Sequence, residues 1–111
     1  NDGYKLFYKF SLSDCSSCIE SELKSIKGKM KSVNILIETQ SLRDFKAFVA
    51  INHIDTAKVF QIEKPILEEV EPPFYFVTNR ELYIKDLFFP MSELPDLAVE
   101  FYQIVQDKYL N

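Results

Sequence analysis

A pair of cysteines lies at the point where the periodicity of the sequence changes, and this junction constrains the fold more than any other feature. Residues 4–10 carry large apolar side chains at every second position, the period of a β-strand: Tyr4, Leu6, Tyr8 and Phe10. From residue 19 onward the apolar side chains follow the spacing of one helix face: Ile19, Leu23, Ile26 and Met30. Cys15 and Cys18 therefore occupy a strand-to-helix junction, within the first helical turn.

The residues at both ends of this helix fit the preferences of helix termini. Ser13 and Asp14 are residue types favoured at the N-cap, so we expect one of them to cap the helix. Lysines are concentrated in its second half, where the helix dipole favours positive charge: Lys24, Lys27, Lys29 and Lys31. The helix is thus predicted from its ends as well as from its apolar face.

The next segments continue the alternation of strand and helix. Residues 33–37 predict a second short strand, and the spacing of Ser41 and Asp44 is that of a capping motif that opens a second helix. The inner face of that helix is expected to carry Leu42, Phe45, Phe48 and Val49. A right-handed crossover would make the first two strands parallel. Residues 57–62 predict either a short extra strand or an extended connection.

The remaining sequence predicts a loop, a hairpin and a last helix. Pro65, Glu68, Glu69 and Glu71 suggest a solvated loop, and residues 74–78 and 82–89 predict antiparallel strands with Asn79 tolerating a positive φ in the turn. Phe88, Phe89 and Met91 are expected to pack in the core or against a helix, with an exposed partner patch as the less favoured interpretation. We expect Ser92 to cap a helix that has Pro95 in its first turn and the following buried stripe: Leu97, Phe101, Ile104 and Val105.

This order of elements predicts an α/β fold with a mixed sheet of four to five strands flanked by helices. At 111 residues the chain fits one domain, residues 1–111, and 47% hydrophobic residues suffice for a core without a disulfide staple.

The net charge of −4, with lysines scattered among acids, argues against a nucleic-acid partner. No apolar run approaches the roughly 20 residues of a transmembrane helix. Because the sequence begins at Asn1 rather than Met, we expect a trimmed or mature fragment, and any targeting signal or membrane anchor would lie upstream of it.

The Cys-Ser-Ser-Cys motif allows three interpretations. Next to a βαβ pattern it first indicates a redox-active pair. The two thiols could instead be a structural or vestigial pair. A metal site is the least favoured interpretation, because structural zinc takes four protein ligands and the chain holds two cysteines and one histidine. We therefore expect no metal and no cofactor.

The element order, together with two segments, resembles the thioredoxin superfamily, and within it the bacterial envelope thiol-disulfide oxidoreductases. The segments are FSLSDCSSC, which ends at Cys18, and EPPFYFV, residues 71–77. The resemblance implies a three-layer thioredoxin-like sandwich in which Cys15 is the nucleophile and Cys18 resolves the mixed disulfide. It also implies a cis proline at Pro73 that faces the cysteines, with Pro72 and Phe74 beside it in the substrate groove.

The same resemblance implies partners and a location. The substrates would be protein or small-molecule disulfides or dithiols, and the protein would act in the bacterial cell envelope or periplasm. A peroxidase of the peroxiredoxin kind is disfavoured, because Leu12 stands where those proteins place Thr or Ser.

The sequence departs from the family pattern at three positions close to the cysteines. Asp14 replaces an aromatic residue or proline, Ser17 replaces a frequent proline, and Lys9 stands where the family places a buried proton-relay acid. The Asp14 carboxylate is expected to raise the pKa of Cys15, since a neighbouring negative charge disfavours a thiolate. These departures keep an alternative open, a non-enzymatic binding or structural module with an inert cysteine pair.

Overall fold

Five β-strands and three α-helices make up the fold in a computed structural model that describes residues 3–67, 70, 73–91 and 93–110. In chain order the elements are β1 (Lys5–Ser11), α1 (Ser16–Gly28), β2 (Asn34–Glu38), α2 (Leu42–Ile51), β3 (Val59–Ile62), β4 (Phe74–Thr78), β5 (Ile84–Phe88) and α3 (Asp96–Val105). A π-helical segment, Gln106–Leu110, follows α3 directly.

The sheet is mixed, with β1 in its centre. Its spatial order is β3-β2-β1-β4-β5, in which β1, β2 and β3 are parallel, whereas β4 is antiparallel to both β1 and β5. The predicted parallel pair and the predicted hairpin are therefore confirmed. Residues 57–62, for which a strand and a connection were both open, form the edge strand β3 from Val59 onward.

All three α-helices pack against the same face of the sheet. The face is built from alternate residues of the central strands, such as Leu6, Tyr8 and Phe10, which are at most 1% exposed. Three residues of the predicted inner face of α1 are buried as expected, Ile19, Leu23 and Ile26, whereas the fourth, Met30, is buried just after the helix ends at Gly28. Burial of one stripe on each helix against one side of the sheet forms the larger hydrophobic cluster.

The opposite face carries a smaller apolar cluster that the β3–β4 connection covers. Leu67 and Val70 of this connection pack against a set of strand residues: Phe7, Leu36, Phe74 and Phe76. The three helices thus cover one face of the sheet, and described residues of the β3–β4 connection pack on the other. Among the described residues, no helix combines the length and the apolar character needed to cross a membrane.

The helix starts confirm one predicted cap and correct another. Ser41 caps α2 as expected, because its side chain accepts a hydrogen bond from the Asp44 amide at 3.1 Å. Helix α1 is capped by Cys15 rather than by Ser13 or Asp14. The N-cap of α3 is Pro95, which lies before the first turn instead of within it and makes no side-chain cap. The predicted cap at Ser92, like the loop residues Glu68, Glu69 and Glu71, lies outside the described residues.

Several residues expected in the core are exposed. Ile104 is 62% exposed because the buried positions of α3 are Ala98 and Val105, and a neighbouring helix position points about 100° away. Leu42 lies in the first turn of α2 and is 53% exposed, outside the core cluster.

The end of the β4–β5 hairpin also differs from expectation. Phe88 packs against the core as predicted, whereas Phe89 and Met91 are about half exposed. In the hairpin turn the positive φ belongs to Leu82, at 69°, and not to Asn79, whose side chain accepts a hydrogen bond from the Tyr83 amide at 3.0 Å.

Candidate active site

The cysteine pair lies where the central strand β1 ends and helix α1 begins. A tight turn joins the two elements, in which the Asp14 amide donates to the Ser11 carbonyl at 3.0 Å. Cys15 takes the N-cap position and is exposed, while Cys18 is half-buried one turn later. Both are free thiols, so the structure presents the reduced form of the pair.

The sulfur of Cys15 accepts hydrogen bonds at the start of helix α1. The Cys18 amide donates to Cys15 Sγ at 3.4 Å, and Ser17 Oγ lies 3.2 Å from the same sulfur. Hydrogen bonds from the Cys18 thiol, the Ser17 side chain and the Cys18 amide lower the pKa of Cys15 to about 7. The same arrangement raises the pKa of Cys18, since its thiol hydrogen-bonds to Cys15. The pair is therefore asymmetric, with the exposed sulfur as the more acidic one.

Asp14 takes part in the turn between β1 and α1. Its carboxylate turns back toward the β1–α1 turn, where it accepts a hydrogen bond from the Ser11 amide at 2.7 Å. The net pKa shift of Cys15 is downward, because hydrogen bonds at the helix start lower the pKa more than burial raises it. Asp14 thus shapes the turn that presents the cysteines.

A cavity of about 280 Å³ opens beside Cys18, and we call it the Cys18 cavity. Its apolar walls are Pro73, Pro90 and Met91, and its polar lining consists of Tyr8, Cys18, Ser21, Glu22 and Glu93. Strand β1, helix α1, the residue that precedes β4 and the β5–α3 loop each contribute to it. Pro73 therefore lies close to the cysteine pair.

The side chain of Phe74, another predicted groove residue, does not face this cavity. The side chain of Phe74 is completely buried and packs on the opposite face of the sheet, against Phe76. It is directed away from the Cys18 cavity because side chains alternate along a strand. Pro72 lies outside the described residues.

Glu22 is a functional candidate that the sequence interpretation missed. It is only 5% exposed, and its carboxylate accepts a hydrogen bond of 2.5 Å from the hydroxyl of Tyr75 on β4. Burial raises the pKa of Glu22 above its ordinary value, while the Tyr75 hydrogen bond partly opposes that rise. Its position three residues after Ile19 and four before Ile26 was the signal, because such a residue belongs to the buried helix face.

Tyr8 contributes a hydroxyl group to the same cavity. The residue is fully buried, and its ring packs on that of Tyr75 with 4.6 Å between the centroids. Its hydroxyl has no hydrogen-bond partner among the described residues. Burial raises the pKa of Tyr8, and the charge of Glu22 raises it further. A buried polar atom without a partner is rare in folded proteins and marks this wall of the cavity.

Lys9 occupies the position on β1 at which a buried acid was expected from the resemblance. It is fully buried on the opposite face of the sheet, where it pairs with Glu38 of β2 and lies 6.0 Å from the ring centroid of Phe74. The buried acid next to the cysteines therefore comes from helix α1, as Glu22, instead of from the strand.

The described residues include no group of three or more His, Cys, Asp or Glu side chains placed to hold a metal ion. The lone histidine, His53, is exposed at the end of α2.

Comparison with solved structures identifies the architecture. StoA from Bacillus subtilis has a TM-score of 0.61 at 16% sequence identity, covering 91% of this chain and 83% of that chain. A thiol:disulfide interchange protein from Bacteroides sp. has a TM-score of 0.62 at 18% identity, covering 99% and 75%. The pneumococcal exposed lipoprotein thioredoxin Etrx1 from Streptococcus pneumoniae has a TM-score of 0.55 at 14% identity, covering 93% and 85%.

No protein-family model matches the sequence, and no curated protein matches it either. At identities of 14–18% the structural likeness shows the fold. The predicted thioredoxin-like architecture is thereby confirmed.

Proposed function

We propose that this chain is a thiol-disulfide oxidoreductase in which Cys15 and Cys18 cycle between a dithiol and a disulfide. The observation that carries the proposal is the placement of Cys15. Its sulfur is exposed at a helix N-terminus, accepts hydrogen bonds and has its pKa lowered to about 7. A thiolate is the nucleophile in disulfide exchange, and the lowered pKa increases the thiolate fraction of Cys15 at neutral pH.

The reaction proceeds in two exchanges. The Cys15 thiolate attacks one sulfur of the substrate disulfide, so that the substrate S–S bond breaks, a Cys15–substrate bond forms and the second substrate sulfur leaves as a thiolate that takes up a proton. Cys18, one helical turn away, then loses its proton and attacks Cys15 Sγ. The substrate's first sulfur leaves as a thiol, and two electrons have passed from the protein dithiol to the substrate. The reverse sequence oxidises a substrate dithiol.

We assign Glu22 as the group that accepts the proton of Cys18. Attack by Cys18 requires deprotonation of a thiol whose pKa is raised. Glu22 lines the same cavity, and the pKa of its carboxyl is raised by burial, which makes the carboxylate a better proton acceptor. The Tyr75 hydroxyl holds the carboxylate in place.

The substrate groove, the substrates and the location are part of the same proposal. Pro73, with Pro72 and the backbone of Phe74, borders the substrate groove, and the whole chain works as one thioredoxin-like domain without a cofactor. The substrates are protein or small-molecule disulfides, and nucleic acid is not a partner. The similarity to an exposed lipoprotein thioredoxin supports a location in the bacterial cell envelope.

The proposal is tested by reduction of insulin with dithiothreitol as electron donor. Wild type is expected to accelerate precipitation of the insulin B chain, whereas Cys15→Ser is expected to give the uncatalysed rate. The variant Ser16→Ala is the matched control, because it alters an adjacent exposed hydroxyl without touching either sulfur. Equal rates for wild type and Cys15→Ser would contradict the proposal and leave the inert binding module as the explanation.

A further inference from the structure

The polar lining of the Cys18 cavity is rich in hydrogen-bond acceptors and negative charge. Glu22 and Glu93 each contribute a carboxyl, and Ser21 contributes a hydroxyl. The buried Tyr8 hydroxyl has no partner among the described residues and can accept a hydrogen bond as well as donate one. None of the described residues that line the cavity is basic. The lining is therefore suited to a group that donates several hydrogen bonds and carries positive charge.

We propose that the Cys18 cavity binds a cationic group of the substrate, a lysine or arginine side chain or a small ammonium compound, so that this site prefers positively charged disulfides over anionic ones. The inference rests on the proposed function, since it names the substrate class of the same cysteine pair.

The dimensions of the cavity fit one side chain of a larger substrate. Pockets for complete small-molecule ligands typically measure roughly 300–1,000 Å³, and the Cys18 cavity measures about 280 Å³. Its walls of Pro73, Pro90 and Met91 suit the methylene stem of lysine or arginine, whose charged head stays among polar groups. Glu93, exposed on the β5–α3 loop, supplies negative charge to the polar lining.

Other occupants fit the lining less well. An apolar group would remove water from Glu22 and Glu93 and still leave the Tyr8 hydroxyl without a partner, both of which disfavour binding. An anionic group would lie next to two carboxyls. An ammonium group has three donors and no acceptor, which matches a lining that consists mainly of acceptors.

The experiment measures how fast Cys15 reacts with two methanethiosulfonates of equal length, the cationic 2-aminoethyl and the anionic 2-sulfonatoethyl reagent. The Cys15 thiolate attacks the reagent's sulfenyl sulfur, the new disulfide forms, and methanesulfinate leaves with the bonding electron pair. Cys18→Ser is the background, since Cys18 would otherwise displace the label. The ratio of the two rates cancels the thiolate fraction of Cys15, and the same ratio for free 2-mercaptoethanol is the reference.

At low ionic strength we expect the cation-to-anion ratio at Cys15 to exceed the free-thiol ratio by about tenfold, from unit charges acting over several ångströms of water. The excess should shrink at high salt. Glu93→Gln and Tyr8→Phe should each lower the ratio at least about twofold by removing a charge or an acceptor. Glu81→Gln, the matched control, removes the same charge from the β4–β5 turn at the far end of β4 and should leave the ratio unchanged.

A ratio equal to that of the free thiol, or an equal drop in Glu81→Gln and Glu93→Gln, would overturn the inference. The labelling does not depend on oxidoreductase activity. Loss of charge preference in a protein that reduces insulin therefore contradicts the substrate class alone, while failure to reduce insulin contradicts the proposed function.

Discussion

The titration of Glu22 gives a stability prediction whose sign is set by the structure. The folded protein holds this carboxyl 5% exposed and raises its pKa above the ordinary value, whereas the unfolded chain exposes it. Between the two pKa values the folded state binds more protons than the unfolded state. The contribution of Glu22 to stability is therefore fully present at low pH and is lost as pH rises through the folded pKa.

Glu22→Gln removes that titration while keeping the shape of a protonated carboxyl. The amide oxygen of Gln can accept the Tyr75 hydrogen bond that Glu22 accepts now. At pH 4 we expect the variant to match wild type to within about 1 kcal/mol. As pH rises, the free energy of unfolding of the variant should increase relative to that of wild type, until the Glu22 carboxyl is fully ionised. The slope is at most about 1.4 kcal/mol per pH unit, the value for one proton.

The assay is urea unfolding followed by circular dichroism at several pH values from 4 to 8. Both proteins are oxidised first, because the titration of Cys15 and Cys18 would otherwise add a pH dependence of its own. The exposed Glu20→Gln, on the same helix, is the matched control and should show a difference from wild type that does not change with pH. A pH-independent difference for Glu22→Gln, or one that favours wild type as pH rises, would refute the reasoning.

Three further substitutions test the neighbouring contacts. Tyr75→Phe removes the donor to Glu22 and should lower the free energy of unfolding by about 1–3 kcal/mol, measured by urea unfolding at neutral pH. Tyr8→Phe removes a buried hydroxyl without a partner among the described residues, so the same measurement should change by less than about 1 kcal/mol or show a gain. Ser17→Ala should raise the pKa of Cys15 above about 7, measured from the pH dependence of its alkylation by iodoacetamide, and an unchanged pKa would contradict the role of that hydrogen bond.

The elements whose signals lie within a few neighbouring residues were predicted from the sequence. The alternation before Cys15, the helical spacing after Cys18 and the capping motif at Ser41 each reflect local geometry, and each is found in the structure. The pairing of the strands followed from crossover handedness and the short hairpin turn.

The features that were missed depend on contacts between distant parts of the chain. Glu22 is buried because Tyr75, 53 residues later, provides its hydrogen-bond partner, and no local pattern of the helix reports that partner. The net pKa shift of Cys15 depends on the hydrogen bonds that its sulfur accepts from Cys18 and Ser17, and the sequence does not report the positions of those donors. Ile104 was predicted to be buried because apolar spacing alone does not show which neighbouring stripe of α3 faces the sheet.

The central claim is that Cys15 and Cys18 form a reversible redox couple, and equilibration with glutathione tests it most directly. The protein is incubated at fixed pH over a wide range of ratios of reduced to oxidised glutathione, quenched with acid and analysed by mass spectrometry. We predict a two-electron transition in which the Cys15–Cys18 dithiol and disulfide interconvert reversibly within this range, with the same midpoint from either direction. A pair that stays a dithiol or stays a disulfide at every ratio would contradict the account.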